Sequence, residues 1–213
     1  MQFDYSVYET IYSAIRSQGS HGWGGDTRLA KGPAHITGIL GSGWVPKNGQ
    51  ALEIGCGEGN LSRLLEMHGY RVSGVDVSGT AIAWAQEKAP ESSRIEYICG
   101  NFLQPDILAG RTFDLILDGA CLHCIGGKDR EVFLKNVNRL LASGGTFVVC
   151  SLCSKDDLTR ETVRSGLGLR HISAANDLLA ELAHAGLEIL QAERRIREVD
   201  DNLLVFARKP RPL

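Results

Sequence analysis

The stretch ALEIGCGEGN, residues 51–60, joins an apolar strand to a helix through three alternating glycines. Glycine tolerates positive φ and carries no Cβ atom, so the backbone here can approach a ligand closely. The helix that begins near Asn60 adds unpaired backbone N–H groups at the same point. A second apolar strand ends at Asp76, where a carboxylate can accept hydrogen bonds from ribose hydroxyls. This arrangement predicts a nucleoside-binding site.

The spacing of Gly55, Gly57 and Gly59 is G-x-G-x-G. It differs from the dinucleotide fingerprint G-x-G-x-x-G, in which a helix N-terminus faces a pyrophosphate. Glu53 comes just before these glycines, and its carboxylate would repel a pyrophosphate but attract a cation. The pattern therefore favours a positively charged nucleoside without phosphates and disfavours a nicotinamide-dependent oxidoreductase.

From residue 51 onward, short apolar runs alternate with amphipathic stretches, which is typical of βαβ units around a parallel sheet. We predict an α/β fold: a doubly wound, Rossmann-like sheet of seven strands with helices on both faces. A turn at Asp200 and Asp201 joins the last two strands and is too short for a crossover helix, so we expect antiparallel pairing there and a mixed sheet. The predicted helices cover residues 60–68, 80–88, 129–141 and 173–185.

The composition is that of an ordinary globular protein. Of 213 residues, 43% are apolar and 23% are charged, and the net charge is −2. These values indicate neither a disordered tail nor a basic surface for nucleic acid. The first residues do not form a basic segment followed by an apolar one, as a signal peptide would, and no run approaches the roughly 20 apolar residues of a membrane helix. We therefore expect a cytoplasmic protein without membrane or nucleic-acid partners. We expect it to be a monomer or a homodimer. The six cysteines are expected to be free thiols.

Residues 1–48 are predicted to form a helical and glycine-rich lid on a domain that spans residues 49–210. Tyr8 and Tyr12 are four residues apart on one face of a predicted helix, which suits either a packed stripe or contact with a substrate. Trp23 lies between glycines, in a loop that can close over a ligand. The lid residues that we expect to contact the substrate are Tyr8, His21 and Trp23.

Four segments resemble, in order and spacing, the motifs of class I S-adenosylmethionine-dependent methyltransferases. They are EIGCGEG (residues 53–59, against E/D-x-G-x-G-x-G in the family), CGNFLQ (99–104), FDLILDGA (113–120) and RLLASGGTFVVC (139–150). The resemblance covers roughly residues 50–209. It implies S-adenosylmethionine as the cofactor and the strand order 3-2-1-4-5-7-6.

The resemblance also implies a role for each matching residue. The glycine loop lies against the methionine part of the cofactor, Asp76 binds both ribose hydroxyls, and Val77 lines the adenine. Asn101 and Phe102 hold the edge and the face of the adenine, and Asp118 lies near the transferred methyl group. Core packing is the alternative for Phe102, and a simple turn acid is the alternative for Asp118. The implied cofactor residues are Glu53, Gly55, Cys56, Gly57, Gly59, Asp76, Val77, Asn101, Phe102 and Asp118.

Two C-x-x-C pairs follow neighbouring strands of this sheet: Cys121 and Cys124 after the fourth strand, and Cys150 and Cys153 at the end of the fifth. Ligands of open α/β sheets bind at the carboxyl ends of the strands, so the pairs are expected near the methyl acceptor. They suit a metal site, thiols that hold a soft substrate such as a metalloid, or plain packing. We predict no bound metal and expect Cys121 and Cys124 to line the substrate pocket.

His123 lies between the first two cysteines and is predicted, with Asp118, to be catalytic. A histidine, whose ordinary pKa is about 6.5, can act as a general base when the acceptor atom is protonated near neutral pH. It can also orient the substrate, and a structural histidine is the alternative. Asp118 is then expected to orient the substrate or the cofactor.

The sequence therefore predicts an S-adenosylmethionine-dependent methyltransferase of a small molecule, with oxygen or nitrogen preferred as the acceptor atom. Two alternatives stay open: thiol-assisted methylation of sulfur, a chalcogen or a metalloid, and a protein that binds the cofactor without catalysis. The segment at residues 155–171 is expected to form a pocket wall. Its arginines, Arg160, Arg164 and Arg170, suit either a clamp for an anionic acceptor or a solvated basic face.

Overall fold

The computed structural model describes residues 3–164 and 167–212. Its strands are β1 Gly49–Ile54, β2 Tyr70–Asp76, β3 Glu96–Cys99, β4 Phe113–Asp118, β5 Leu141–Cys153, β6 Arg160–Arg164, β7 Gly168–Ile172, β8 Glu188–Arg195 and β9 Asp201–Arg208. Seven of them form one sheet in the order β3-β2-β1-β4-β5-β9-β8. β9 runs antiparallel to both neighbours. Because β8 and β9 are the sixth and seventh strands of this sheet along the chain, the predicted order and the mixed sheet are confirmed.

Six α-helices lie in the described part of the chain. They are α1 Val7–Ser17, α2 Gly25–Leu40, α3 Asn60–Met67, α4 Gly79–Lys88, α5 Asp129–Leu140 and α6 Ala175–His184. The last four match the predicted helices. The structure contains no described helix with the length and apolar character needed to cross a membrane.

Helices cover both faces of the sheet, and the alternation of side chains along β1 shows how. Ala51 packs in a cluster with Ile36 and Ile39 of α2 and with Leu65 of α3. Leu52, the next residue, packs on the opposite face in the cluster that contains residues of α5 and α6. Successive side chains of a strand point to opposite faces, so the doubly wound arrangement follows from the strand sequence.

Two elements were not predicted. We expected a helical and glycine-rich lid over residues 1–48 but no helix at residues 25–40, where Gly32, Pro33 and Gly38 oppose helix formation. The structure has α2 there, and Ile36 and Ile39 are fully buried against the sheet. Tertiary packing supplies most of the stability of such a helix. The second unpredicted element is the β6–β7 hairpin, which is separate from the main sheet.

The strand register brings the functional segments to one edge. Ile54, at the end of β1, lies opposite Val75 of β2 and Asp118 of β4. Asp76 lies opposite Cys99 at the end of β3. The carboxyl ends of the four strands β1 to β4 therefore meet, and the loops that follow them build the site.

Candidate active site

The glycine loop after β1 folds back against the end of β2. The N–H groups of Gly55 and Cys56 donate to the Val75 carbonyl at 2.8 and 3.1 Å. Gly57 has φ +53°, and a Cβ atom there would collide with the Tyr12 hydroxyl. Glycine is required at this position both for the backbone conformation and for the approach of the aromatic ring. The loop therefore presents backbone rather than side chains to a ligand.

Asp76 lies beside this loop, buried at the tip of β2. Its two carboxylate oxygens accept hydrogen bonds from the N–H groups of Gly57 and Ser78, both at 2.9 Å. Burial raises the pKa of Asp76 to about 6, because a low-dielectric surrounding disfavours the charged form. A carboxylate offers about four acceptor positions, so Asp76 retains capacity to bind a diol.

Two further acids surround the loop. Glu53 is 2% exposed and accepts a hydrogen bond from the Ser62 hydroxyl at 2.5 Å. Glu58 is also buried, and its Oε2 accepts a hydrogen bond from the backbone N–H of Trp23 at 3.4 Å. With Asp76, these carboxylates make the surroundings of the glycine loop acidic, which suits a cation and opposes a pyrophosphate.

The turn after β4 is built on Asp118. Its Oδ1 accepts the N–H groups of Cys121 at 2.8 Å and Leu122 at 3.0 Å. Ala120 adopts φ +70°, a conformation that costs a non-glycine residue free energy. A short 3₁₀ helix, Leu122–Cys124, follows and carries His123. Asp118 therefore acts as the turn acid that positions His123, and it lines the cavity as well.

An aromatic cluster from the N-terminal segment covers the loop. The Trp23 ring centroid is 6.1 Å from that of Tyr8 and 5.3 Å from that of Tyr12. Glu9 fixes α1 to the start of α4, because its carboxylate accepts hydrogen bonds from the Ser78 hydroxyl at 2.6 Å and the Thr80 N–H at 3.1 Å. These bonds lower the pKa of Glu9.

One cavity of about 750 Å³ connects these parts. It also reaches Asn101 and Phe102 after β3. The Phe102 ring centroid lies 4.9 Å from that of Phe133, so this residue belongs to the core and to the cavity wall together. The predicted site residues that line the cavity are Tyr8, Trp23, Glu53, Gly55, Cys56, Gly57, Asp76, Val77, Asn101, Phe102, Asp118, Cys121, His123 and Cys124.

Two predicted site residues are not among the residues that line this cavity. His21 is exposed, and its Nδ1 lies 2.6 Å from the Asp26 carboxylate. Gly59, the last glycine of the loop, has φ +74°, and a Cβ atom there would collide with the Tyr97 hydroxyl.

The cysteines of the two C-x-x-C pairs are buried or half-buried thiols. Cys124 contacts the Ala120 carbonyl with its sulfur at 3.7 Å, and Cys150 accepts from the Asn202 side-chain N–H at 3.6 Å. Burial raises the pKa of Cys121 and Cys150, which opposes the thiolate form that binds metals and soft ligands. Within residues 3–164 and 167–212, no group of three or more His, Cys, Asp or Glu side chains is placed to hold a metal ion.

Comparison with known proteins identifies the family. A family model described as a methyltransferase domain matches residues 52–149. An uncharacterized methyltransferase of Bacillus cytotoxicus is 32% identical over 152 residues, which are 70% of this chain and 68% of that protein. The chain belongs to the class I S-adenosylmethionine-dependent methyltransferases. An uncharacterized methyltransferase of Alkaliphilus oremlandii is 30% identical over 136 residues, 63% of this chain but only 61% of that relative.

Solved methyltransferase structures have the same fold. The N-methyltransferase NodS of Bradyrhizobium japonicum, in complex with S-adenosylhomocysteine, has a TM-score of 0.63 and 26% identity over 86% of this chain and 85% of its own. The 1,6-didemethyltoxoflavin-N1-methyltransferase of Burkholderia thailandensis has a TM-score of 0.73 over 99% of this chain and 92% of its own. At 21% identity, the second shows the fold alone.

The residues around the glycine loop fit the cofactor of the methyltransferase family. S-adenosylmethionine is a phosphate-free nucleoside with a sulfonium cation, and the loop at Gly55 and Gly57 offers backbone beside the buried acids Glu53, Glu58 and Asp76. Its cofactor is therefore S-adenosylmethionine, as the sequence predicted. The roles of individual residues stay predictions.

Sequence reasoning missed several residues that line the methyltransferase cavity. They come from α2 and from the β8–β9 region, and include Leu29, Lys31, His35, Arg195, Arg197 and Asn202. The residues of α2 were missed because its helix-breaking residues prevented the prediction of this helix. The β8–β9 residues were missed because they belong to no local motif. The sequence analysis did name Arg170, but only together with Arg160 and Arg164. Of these three arginines, only Arg170 lines the cavity.

Proposed function

We propose that this methyltransferase acts on a small organic molecule and transfers the methyl group to an oxygen or nitrogen atom. The observation that carries the proposal is the continuous cavity of about 750 Å³ that extends from the glycine loop to the turn of His123 beneath the aromatic cluster. Pockets of ~300–1,000 Å³ hold small molecules. We also propose that the protein acts in the cytoplasm, as a monomer or a homodimer.

The cofactor end of the cavity supports a definite arrangement of contacts. We assign the ribose hydroxyls to Asp76, the adenine edge to Asn101, and the adenine faces to Val77 and Phe102. The backbone of the glycine loop, residues 55–59, faces the methionine part. These assignments combine the family motifs with the cavity lining.

The chemistry asks little of the side chains. When bound, S-adenosylmethionine supplies an electrophilic methyl group on a positively charged sulfur. The chain aligns the acceptor and excludes water. Tyr8, Tyr12 and Trp23 exclude water by covering the cavity. His123 accepts the proton that an acceptor hydroxyl or amine loses as its new bond to carbon forms. Asp118 is a positioning residue, because it holds the turn that carries His123.

Related proteins are consistent with a small acceptor. The Burkholderia and Bradyrhizobium structures are N-methyltransferases by name. A trans-aconitate 2-methyltransferase of Paracidovorax citrulli is 29% identical over 120 residues, 53% of this chain and 42% of that protein. The thiol-assisted alternative is not favoured, because burial keeps Cys121 in its neutral form.

A two-step experiment tests the proposal. Calorimetry should first show that the chain binds S-adenosylhomocysteine. A library of small hydroxyl and amine compounds is then screened for acceptor-dependent formation of S-adenosylhomocysteine. Binding without any acceptor-dependent product would favour the non-catalytic alternative.

With an acceptor in hand, His123→Asn should lower turnover about 100-fold or more, the range of general-base effects, while the affinity for S-adenosylhomocysteine stays unchanged. At saturating S-adenosylmethionine, the rate of the wild-type enzyme should fall at low pH as the base is protonated, and this pH dependence should disappear in the variant. Turnover within a factor of about two of the wild-type value would remove His123 as the base.

A further inference from the structure

Arg170 is a buried cation at the acceptor side of the cavity. It lies on β7, is 5% exposed and lines the cavity. Its Nη1 donates to the carbonyls of Leu167 and Leu169, both at 2.6 Å, and to the Tyr8 hydroxyl at 3.2 Å. All three acceptors are neutral, so they orient the guanidinium but leave its charge uncompensated.

The other two arginines of this region show the contrast. Arg160 and Arg164 both pair with Asp200, the first at 3.2 Å and the second at a shorter distance. No carboxylate among the described residues lies within ion-pair distance of Arg170. A buried charge without a counter-charge destabilises a protein, so an anion that enters the cavity would gain a strong partner there.

The position of Arg170 places that anion next to the reacting end of the site. Tyr8, which Arg170 contacts, interacts with Cys124 of the 3₁₀ turn that carries His123, and β7 packs against the same turn. The buried acids Glu53 and Asp76, by contrast, surround the glycine loop. Arg170 therefore lies near His123, whereas Glu53 and Asp76 lie at the glycine loop.

We propose that Arg170, together with the Tyr8 hydroxyl, binds a carboxylate or a similar oxyanion of the methyl acceptor, so that the acceptor is an anionic small molecule. The proposal rests on the proposed function and names its substrate class. A guanidinium binds carboxylates through parallel N–H donors. The pKa of Tyr8 is raised by burial, so its hydroxyl stays protonated and can donate to the same anion.

The test compares benzoate with benzamide, which match in shape but differ in charge. Each is titrated by ligand-observed NMR into the chain saturated with S-adenosylhomocysteine. We expect benzoate to bind about tenfold more tightly than benzamide, as for a charge-assisted hydrogen bond. Arg170→Gln should lower benzoate affinity about tenfold, and Tyr8→Phe about threefold, while neither changes benzamide binding.

Arg164→Gln is the matched control, because Arg164 lies on the other strand of the same hairpin and outside the cavity lining. It should leave benzoate affinity unchanged. Equal affinities for benzoate and benzamide in the wild-type chain, or no binding of either, would overturn the proposal. This outcome does not depend on whether any variant folds.

The carboxylate of the cofactor itself is the rival anion, and S-adenosylhomocysteine affinity separates the two. Arg170→Gln should leave that affinity unchanged if Arg170 serves the acceptor. A loss of S-adenosylhomocysteine binding in Arg170→Gln, with benzoate binding unaltered, would assign Arg170 to the cofactor and overturn the proposal. Failure of the wild-type chain to bind S-adenosylhomocysteine would instead refute the proposed function.

Discussion

The two ends of the cavity are built in different ways. The cofactor end consists of strand tips and the loop at Gly55 and Gly57, held by backbone hydrogen bonds to Val75 and Asp76. The end that we propose for the methyl acceptor consists of side chains far apart in sequence, such as Tyr8 of α1, His123 of the turn after β4 and Arg170 of β7, which packing brings to one cavity. The first is fixed by the architecture of the sheet and serves one ligand, whereas the second can change without loss of the fold.

The largest expected effect is at the cofactor end. Asp76→Ala should weaken S-adenosylhomocysteine binding about 100-fold or more, because two charge-assisted hydrogen bonds to the ribose are lost at about 1.5–3 kcal/mol each. Isothermal calorimetry measures the change. Asp106→Ala is the control, since Asp106 is exposed and is not among the cavity residues. An unchanged affinity in Asp76→Ala would remove the nucleoside site on which the comparison depends.

The next effect concerns the loop backbone. Gly57→Ala should cost about 2–3 kcal/mol of the free energy of unfolding, because the new Cβ atom meets both a positive φ and the Tyr12 hydroxyl. Gly110→Ala is the matched control: its φ is +77° but nothing lies within 4 Å of the added atom, so we expect about 1 kcal/mol. Urea unfolding measures both.

The collision itself is tested by adding Tyr12→Phe to Gly57→Ala. Removal of the hydroxyl should recover part of the lost stability, and a double-mutant cycle isolates that share. If Gly57→Ala and Gly110→Ala cost the same, the approach of α1 to the loop is not what requires glycine at residue 57.

A third prediction uses the pKa of Asp76, about 6 in the folded chain against the ordinary value 3.8. The folded state therefore binds this proton more tightly than the unfolded state, so the proton's stabilising contribution is complete below pH 4 and is lost as the pH rises through 6. From pH 7 to pH 5, the ligand-free wild-type chain should gain about 1 kcal/mol of stability relative to Asp76→Asn.

Cofactor binding should change in the opposite direction. The ribose needs the ionised carboxylate as acceptor, so the affinity for S-adenosylhomocysteine should fall as the pH drops below about 6. Urea unfolding and calorimetry at pH 5 and 7 give the two trends. A cofactor affinity that is constant over this range would contradict the assignment of the ribose to Asp76.

The same division explains what the sequence could predict. Glycine spacing, strand-end acids and hydrophobic alternation are local signals, and they predicted the α/β sheet and a nucleoside site at Asp76. The strand order and the other cofactor residues came from the family resemblance that these motifs carry. Ile36 and Ile39 make α2 stable only by packing on the sheet, which no local pattern around Pro33 indicates. His21 was expected to contact the substrate from the same lid as Trp23, and its contact with Asp26 in the first turn of α2 is a tertiary detail that no local pattern indicates.

The smallest expected effect tests whether the thiols take part in the chemistry of the acceptor end. Cys121→Ala and Cys124→Ala should each lower turnover less than about threefold, as expected for the loss of a small packed side chain. The pKa of Cys121 is raised by burial and by the neighbouring Asp118, so its sulfur is a neutral thiol near pH 7. Turnover assays with the acceptor found in the library, and calorimetry with S-adenosylhomocysteine, measure the two effects separately. A loss greater than tenfold with cofactor affinity intact would restore thiol-assisted methylation, and the acceptor end would then select its substrate by sulfur chemistry rather than by the charge of Arg170.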